Sequence, residues 1–368
     1  MMRIPKKQRK KRCSSRSLQN KKMNEPPGIK VRRLFTNRRD SGKGMGDKMK
    51  KTVFTTRKLP DEAVAPLREK FNVEMWDSED EPVPRTVLLE KAEEAHALWT
   101  VISEEVDREL LGRAKNLEIV AQMAVGYNNI DVAAAKDHGV MVTNTPGVLT
   151  ETTADLAFTL MLAAARRTGQ AERALRAGEW KSWTPMGFTG QDVFGATLGI
   201  IGMGRIGEGV ARRARGFEMD VLYHNRTRKI EAESMYGFQY AELDDLLQMA
   251  DFIIVLAPLT DETRGLIGKR ELGLMKKTAV LVNAARGGIV DEQALYDALR
   301  HGQIWAAGLD VFEDEPIGLE HPLLELPNVT ALPHIGSASI RTRLAMMKLN
   351  ADAIKDALEG REPANRVV

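Results

Sequence analysis

Cysteine is almost absent from this 368-residue chain, the only one being Cys13. A disulfide framework is thereby excluded, and so is a thiolate metal site in the body. No stretch approaches 18 uninterrupted apolar residues; the most hydrophobic run, Leu156 to Ala165, is too short to span a bilayer and reads as a buried helix. The N-terminus is charged but no apolar run follows it, so a secretory signal is not expected and a reducing, cytoplasmic setting is. No tight His/Asp/Glu cluster with ligand spacing occurs, which leaves a metal-dependent mechanism without support.

The net charge of +3 hides an uneven division. Through Lys51 there are 19 Lys and Arg against 3 Asp and Glu; the rest has 35 against 48. The body is therefore acidic, and residues 1–50 form a basic segment poor in apolar residues, for which disorder is the default. Such a segment suits anionic partners. The expectation here is different: the first strand-like residues follow Met49, Met45 is another start, and the segment reads as an extended start of translation, with no nucleic-acid or membrane partner.

What is present points to a dinucleotide. Thr197-Leu198-Gly199-Ile200-Ile201 reads as a buried strand and runs directly into Gly202-Met203-Gly204-Arg205-Ile206-Gly207. The first glycine allows a tight turn, the second lets backbone approach a pyrophosphate, and the third lets the next helix pack closely on the sheet. That helix presents its free N–H groups and positive dipole end to the phosphates. Asp220 to His224 reads as the second strand. An NAD-preferring site places an acid at its end, which holds the ribose 2′-hydroxyl and repels a 2′-phosphate. Here the chain reads His224-Asn225-Arg226-Thr227-Arg228, and Asn225, Arg226 and Thr227 offer groups that bind phosphate. NADP(H) is expected as the preferred cofactor, with NAD(H) also usable.

Between Lys51 and Thr145 four further apolar runs, Phe71–Met75, Ala97–Val101, Leu117–Ala121 and Val140–Thr143, alternate with helical stretches, as does Thr52–Thr55 before them; this spacing predicts a parallel α/β domain. From Thr150 a threonine-rich cap leads into a mostly apolar helix, the expected buried connector. Phe252–Leu256, Thr278–Val282, Trp305–Leu309 and Val329–Ala331 continue the second sheet. Ligands of such sheets sit beyond the carboxyl ends of the strands, where Arg286, Glu315 and His334 follow strand ends. A guanidinium binds a carboxylate through a fixed fork, an imidazole exchanges a proton with a carbonyl oxygen, and a carboxylate beside that imidazole favours its charged form. Together they read as a ketone-reducing site. Of the other histidines, His138 and His301 precede glycines at helix ends and read as capping residues; His96 and His321 have no evident partner.

These motifs resemble the D-isomer-specific 2-hydroxyacid dehydrogenases, in particular their glyoxylate and hydroxypyruvate reductase branch. The resemblance rests on Leu198–Gly207, Asn283–Glu292, Gly308–Pro316 and Leu332–Ser337, and runs from about Lys51 to the C-terminus. It implies two doubly wound α/β domains, a Rossmann-type dinucleotide-binding domain at 150–336 and a flavodoxin-like substrate domain at 51–149 completed by 337–368, with the active site in the cleft and a homodimer joined through the cofactor domains. By the same resemblance Arg286 orients the substrate, His334 is the acid/base and Glu315 its partner; Val125 and Gly126 bind the substrate carboxylate. The cofactor falls to Gly202, Gly204, Arg205, Ile206, Gly207, Pro258, Thr263, Ala284, Ala285, Asp310 and Gly336, with Arg286 and His334 also beside it. Trp99 and the segment Trp180 to Gly190 are expected to border the substrate or dimer region. The implied reaction is reduction of glyoxylate or hydroxypyruvate to the D-2-hydroxyacid. The alternatives are 2-ketogluconate as substrate and, in a different class, a dinucleotide-sensing corepressor.

Overall fold

The computed structural model describes residues 50–368; Cys13, the two candidate starts and the basic segment before Lys50 lie outside the described residues. Among these residues, twelve strands form two sheets in which every pairing is parallel. The first contains β1 (Thr52–Thr55), β2 (Asn72–Met75), β3 (Ala97–Thr100), β4 (Ile119–Gln122) and β5 (Met141–Thr143) in the order β2-β1-β3-β4-β5. The second contains β6 (Thr197–Ile201), β7 (Asp220–His224), β8 (Gln239–Tyr240), β9 (Phe252–Val255), β10 (Val280–Asn283), β11 (Ala306–Leu309) and β12 (Val329–Ala331) in the order β12-β11-β10-β9-β6-β7-β8. The first order is flavodoxin-like and the second is the Rossmann order with one added strand.

Helices cover both faces of a parallel sheet, so its inner strands carry apolar residues without alternation. Every residue of β3, β4, β9, β10 and β11 is buried accordingly. Strand order reverses between β1 and β3 in one sheet and between β6 and β9 in the other, and each reversal opens a crevice beyond the strand ends. Register aligns the second crevice: Ile201 lies opposite both His224 and Val255, which brings Gly202, Asn225 and Leu256 to one edge.

Two helices connect the sheets. The Thr150–Ala165 helix is buried along most of its length, and its Leu160 fills the space that a side chain at Gly308 of β11 would need, a Cβ there falling 2.7 Å from Leu160 Cγ. Its threonines do not cap it: the N-cap is Leu149, with no side-chain hydrogen bond, whereas the Thr152 hydroxyl bonds that of Thr342 at 2.6 Å. The Ile340–Leu358 helix, capped by Ser339, returns to the first sheet, where Met346, Ile354 and Leu358 share a core with Val53 and Ile119. Asn350 donates to the Ala121 carbonyl at 3.1 Å, and Val367 donates to Val142 beside β5.

Trp99 belongs to this core. At 1% exposure, in the core that also holds Met346 and Ile119, it borders neither a substrate nor a partner surface, because β3 is an inner strand covered on both faces. Trp180 and Trp183 have the opposite fate, standing 62% and 79% exposed away from the cleft. His138 and His301 end their helices as predicted. His96 accepts from the Thr52 N–H and His321 pairs with Glu292 at 3.1 Å, partners that only the fold supplies. Among the described residues, no helix is long and apolar enough to cross a membrane.

Candidate active site

The glycine loop is built as its spacing requires. Gly202 has φ +102°, and a Cβ on it would lie 2.4 Å from the Ala257 nitrogen, so the turn out of β6 admits only glycine. Gly207 packs on the Gly202 carbonyl, 2.6 Å from where its Cβ would stand, and seats the Arg205–Ala214 helix on the sheet. Gly204, the N-cap of that helix, has no side-chain cap, and a Cβ on it would meet nothing within 4 Å. Open space thus faces a helix N-terminus with free N–H groups, the geometry that receives a phosphate. The residues present fit a dinucleotide.

Beyond β7, Asn225 is used internally: its Oδ1 accepts from the Met203 N–H at 2.6 Å and its Nδ2 donates to the Met203 carbonyl, which fixes the glycine loop from behind. Arg228 is held by Glu233 at 2.6 Å. Arg226 and Thr227 make no side-chain hydrogen bond or ion pair among the described residues.

Arg286 enters the cleft from the turn after β10. The buried Asn283 shapes that turn, donating to the Arg286 carbonyl at 2.9 Å and accepting from the Ala285 N–H. Gly287 then passes so close to Phe312 that a Cβ would touch its carbonyl oxygen at 1.9 Å, which brings the arginine and glutamate segments together. The guanidinium donates to the Ala285 carbonyl at 2.7 Å and lies against Gly126 of the other sheet's loop, where a Cβ would fall 1.9 Å from Nη2. Burial pulls its pKa below the ordinary arginine value, with Glu315 partly offsetting this. It remains a cation with an incompletely paired charge, an arrangement that favours an anionic ligand.

His334 Nδ1 stands 2.6 Å from Glu315 Oε2, while Glu315 Oε1 accepts from the Phe312 N–H at 2.9 Å. Burial pushes the Glu315 carboxyl up, but the bond and charge of His334, the Phe312 N–H and the Arg286 charge outweigh it and hold the group below its usual range. An ionised Glu315 fixes the proton on Nδ1 and leaves Nε2 for the cleft. His334 itself has φ +52°, a left-handed conformation that costs roughly 1–3 kcal/mol. The buried Asp310 holds it there by accepting from the Ile335 and Gly336 N–H groups, each at 2.8 Å. Two bonds to a charged acceptor, at about 1.5–3 kcal/mol each, exceed that strain. Burial raises the Asp310 pKa, against the pull of these N–H groups and of His334.

One cleft between the sheets is lined by Val125, Gly126, Gly202, Gly204, Arg205, Ile206, Gly207, Pro258, Ala284, Ala285, Arg286, Asp310, His334 and Gly336. Asn225, Arg226, Thr227, Thr263 and Glu315 are not in its wall. Glu315 supports His334, and the Thr263 hydroxyl donates to the Pro258 carbonyl at 2.7 Å, bracing the turn beneath the cofactor side.

Residues 158–336 match the family model described as D-isomer specific 2-hydroxyacid dehydrogenase, NAD binding domain. The chain is 48% identical to a glyoxylate reductase of Korarchaeum cryptofilum over 87% of its own length and 96% of that protein. It is 52% identical to one of Thermococcus gammatolerans over 82% and 91% respectively. The chain belongs to the D-isomer specific 2-hydroxyacid dehydrogenases. Among solved structures, the NADPH-dependent glyoxylate/hydroxypyruvate reductase of Sinorhizobium meliloti, in complex with NADP and malonate, superposes with a TM-score of 0.74 at 34% identity, covering 87% of this chain and 97% of that one.

This dehydrogenase adds cleft residues that carry no sequence signal. Arg343 projects from the last long helix into the wall, and burial lowers its pKa while Asp310 opposes the shift. Val101 and Ile102 line the first sheet's crevice, and Thr153, from the threonine run, lines the connecting helix. Nothing in the Arg341-Thr342-Arg343 spacing separates an inward arginine from a surface one.

A direct test uses Gly126→Ala. The added methyl displaces the Arg286 fork, and a misplacement of this size is expected to lower kcat/KM for the ketoacid about 100-fold while cooperative thermal unfolding is retained. Unchanged kinetics would show that the fork does not need this contact.

Proposed function

We propose that this chain reduces glyoxylate or hydroxypyruvate to the D-2-hydroxyacid with NADPH as preferred cofactor, NADH being usable. The observation that carries the reading is a half-buried guanidinium and a carboxylate-backed histidine facing the same cleft as an open helix N-terminus. Residues 51–149 with 337–368 serve as the substrate domain and 150–336 as the cofactor domain.

The bound nicotinamide dinucleotide supplies the hydride. The backbone N–H groups at Val125 and Gly126 and the Arg286 fork take the ketoacid carboxylate, which fixes the carbonyl carbon beside the nicotinamide position. His334 donates the Nε2 proton to the carbonyl oxygen as it gains charge, and Glu315 stabilises the imidazolium before transfer. In oxidation the same imidazole accepts the proton. Gly202, Gly204, Arg205, Ile206 and Gly207 hold the pyrophosphate. Asp310 keeps the His334 loop in place and would contact the nicotinamide carboxamide, with Ala284, Ala285, Pro258 and Gly336 completing the wall.

The NADP preference is supported by the missing acid after β7 and by the unengaged Arg226 and Thr227; a relative of like fold was solved with NADP. The Asn225 amide contributes indirectly, through the glycine loop.

The assay is NADPH oxidation with glyoxylate, hydroxypyruvate, 2-ketogluconate and pyruvate, with His334→Ala as control. Turnover is expected on the first two, falling by about 100-fold or more in the control, with kcat/KM higher for NADPH than NADH. Absence of turnover with either cofactor would favour a dinucleotide-sensing role, and a preference for 2-ketogluconate would correct the substrate.

A homodimer is supported by the apolar residues Trp180, Trp183, Met186 and Phe194, at 62%, 79%, 77% and 66% exposure on a single segment. Such a patch marks a protein contact. Sedimentation should find a dimer that Trp183→Glu dissociates; a monomeric parent chain would overturn this.

A further inference from the structure

Outside the cofactor site the least expected group is Glu104, a carboxylate only 3% exposed, where an acid is almost never left unless it is paired. All its acceptor positions are used. Oε2 accepts from the Thr56 hydroxyl at 2.7 Å and the Val101 N–H at 2.9 Å; Oε1 accepts from Arg57 Nη1 at 2.6 Å and the Ser103 hydroxyl at 3.1 Å. Its own backbone carbonyl accepts from Asn129 Nδ2 at 2.6 Å.

The location gives these bonds a purpose. Thr56 and Arg57 follow β1, and Val101 follows β3, so the carboxylate ties together the two strand ends at the point where the first sheet reverses order. Val101 and Ile102 line the cleft. Asn129 carries the tie onward: its Nδ2 also reaches the Val101 carbonyl at 3.3 Å, and its Oδ1 accepts from Gln122 Nε2 at 2.8 Å, anchoring the loop that begins with Val125 and Gly126.

We infer that Glu104, paired with Arg57, is a positioning residue for the ketoacid: it fixes the Val101–Ile102 wall and, through Asn129, the Val125–Gly126 amides at the spacing a small carboxylate needs. It touches neither substrate nor cofactor. The second sheet's loops make no bond to Glu104 itself and meet the loop it anchors through one hydrogen bond, Asn128 Nδ2 to the Leu259 carbonyl at 3.0 Å, so its loss acts chiefly on ketoacid binding. The inference rests on the ketoacid reading above.

The experiment compares the parent chain, Glu104→Gln, and the double variant Arg57→Met/Glu104→Met by steady-state kinetics and thermal unfolding. Glu104→Gln turns an N–H₂ either toward Arg57 and Ser103 or toward Thr56 and the Val101 N–H, so that a donor faces a donor in both orientations, and the single variant can fail to fold. The double variant replaces a buried ion pair by apolar side chains, an exchange that tends to preserve stability, yet it removes the anchor for the Val101 N–H. The expected result is a ketoacid KM raised about tenfold in each folded variant, with NADPH KM changed less than about twofold. A double variant of near-parent Tm whose ketoacid KM is unchanged would overturn the inference, as would a parallel rise in both KM values, the mark of a merely structural role. A parent chain without ketoacid turnover would overturn the functional reading and this inference with it; turnover in the parent with unaltered KM in the variants would overturn this inference alone.

Discussion

Arg286 crosses from the loop after β10 to lie against Gly126 of the opposite domain, and the site depends on that contact. A guanidinium partly withdrawn from water is favoured by an anionic partner. Here a single backbone carbonyl and the more distant Glu315 charge are its protein partners, which leaves the fork's outer N–H groups for a carboxylate. Gly126 is what permits the approach: any side chain would occupy the position of Nη2. One steric allowance therefore lets the loop after β10 and the loop after β4 meet in the cleft wall.

On the proton-transfer side, too, charges are held by backbone N–H groups. Glu315 and Asp310 lie close to His334, yet their pKa values move in opposite directions: bonding outweighs burial and lowers that of Glu315, whereas burial outweighs bonding and raises that of Asp310. Glu315 orients the imidazole through Nδ1, and Asp310 fixes the strained backbone on which the ring stands. Arg343, half-buried beside Asp310, adds a second cation to the wall. The cleft thus carries its charge on rigid elements before any ligand arrives, which is the condition for electrostatic stabilisation without reorganisation.

Much of this was legible in the sequence because parallel sheets and phosphate loops write local signals. β1 coincides with the predicted Thr52–Thr55 run, and the glycine spacing foretold three distinct backbone tasks. The Arg286, Glu315 and His334 triplet stood out by following strand ends. Other features were illegible for physical reasons. The two-residue edge strand β8 is too short to show periodicity. Trp99 falls within the predicted Ala97–Val101 run and is expected to border the substrate or dimer region, whereas its place on an inner strand buries it. The threonines at 150–153 resemble a cap, yet they serve lateral contacts. Glu104 sits in Ser103-Glu104-Glu105, which reads as a solvated acidic turn; only the meeting of β1 with β3 shows that one acid points inward and the other does not. Long-range pairing is the information a local reading lacks.

In the proposed reaction Arg286 and the Gly126 loop fix a 2-ketoacid so that hydride reaches one face while His334 protonates the oxygen. The most direct measurement supplies NADPH carrying deuterium at the transferable ring position, with hydroxypyruvate, and examines the glycerate by mass and configuration. The expected product is D-glycerate with deuterium at C2. Glycerate of the L configuration, or reduced product free of deuterium, would contradict it.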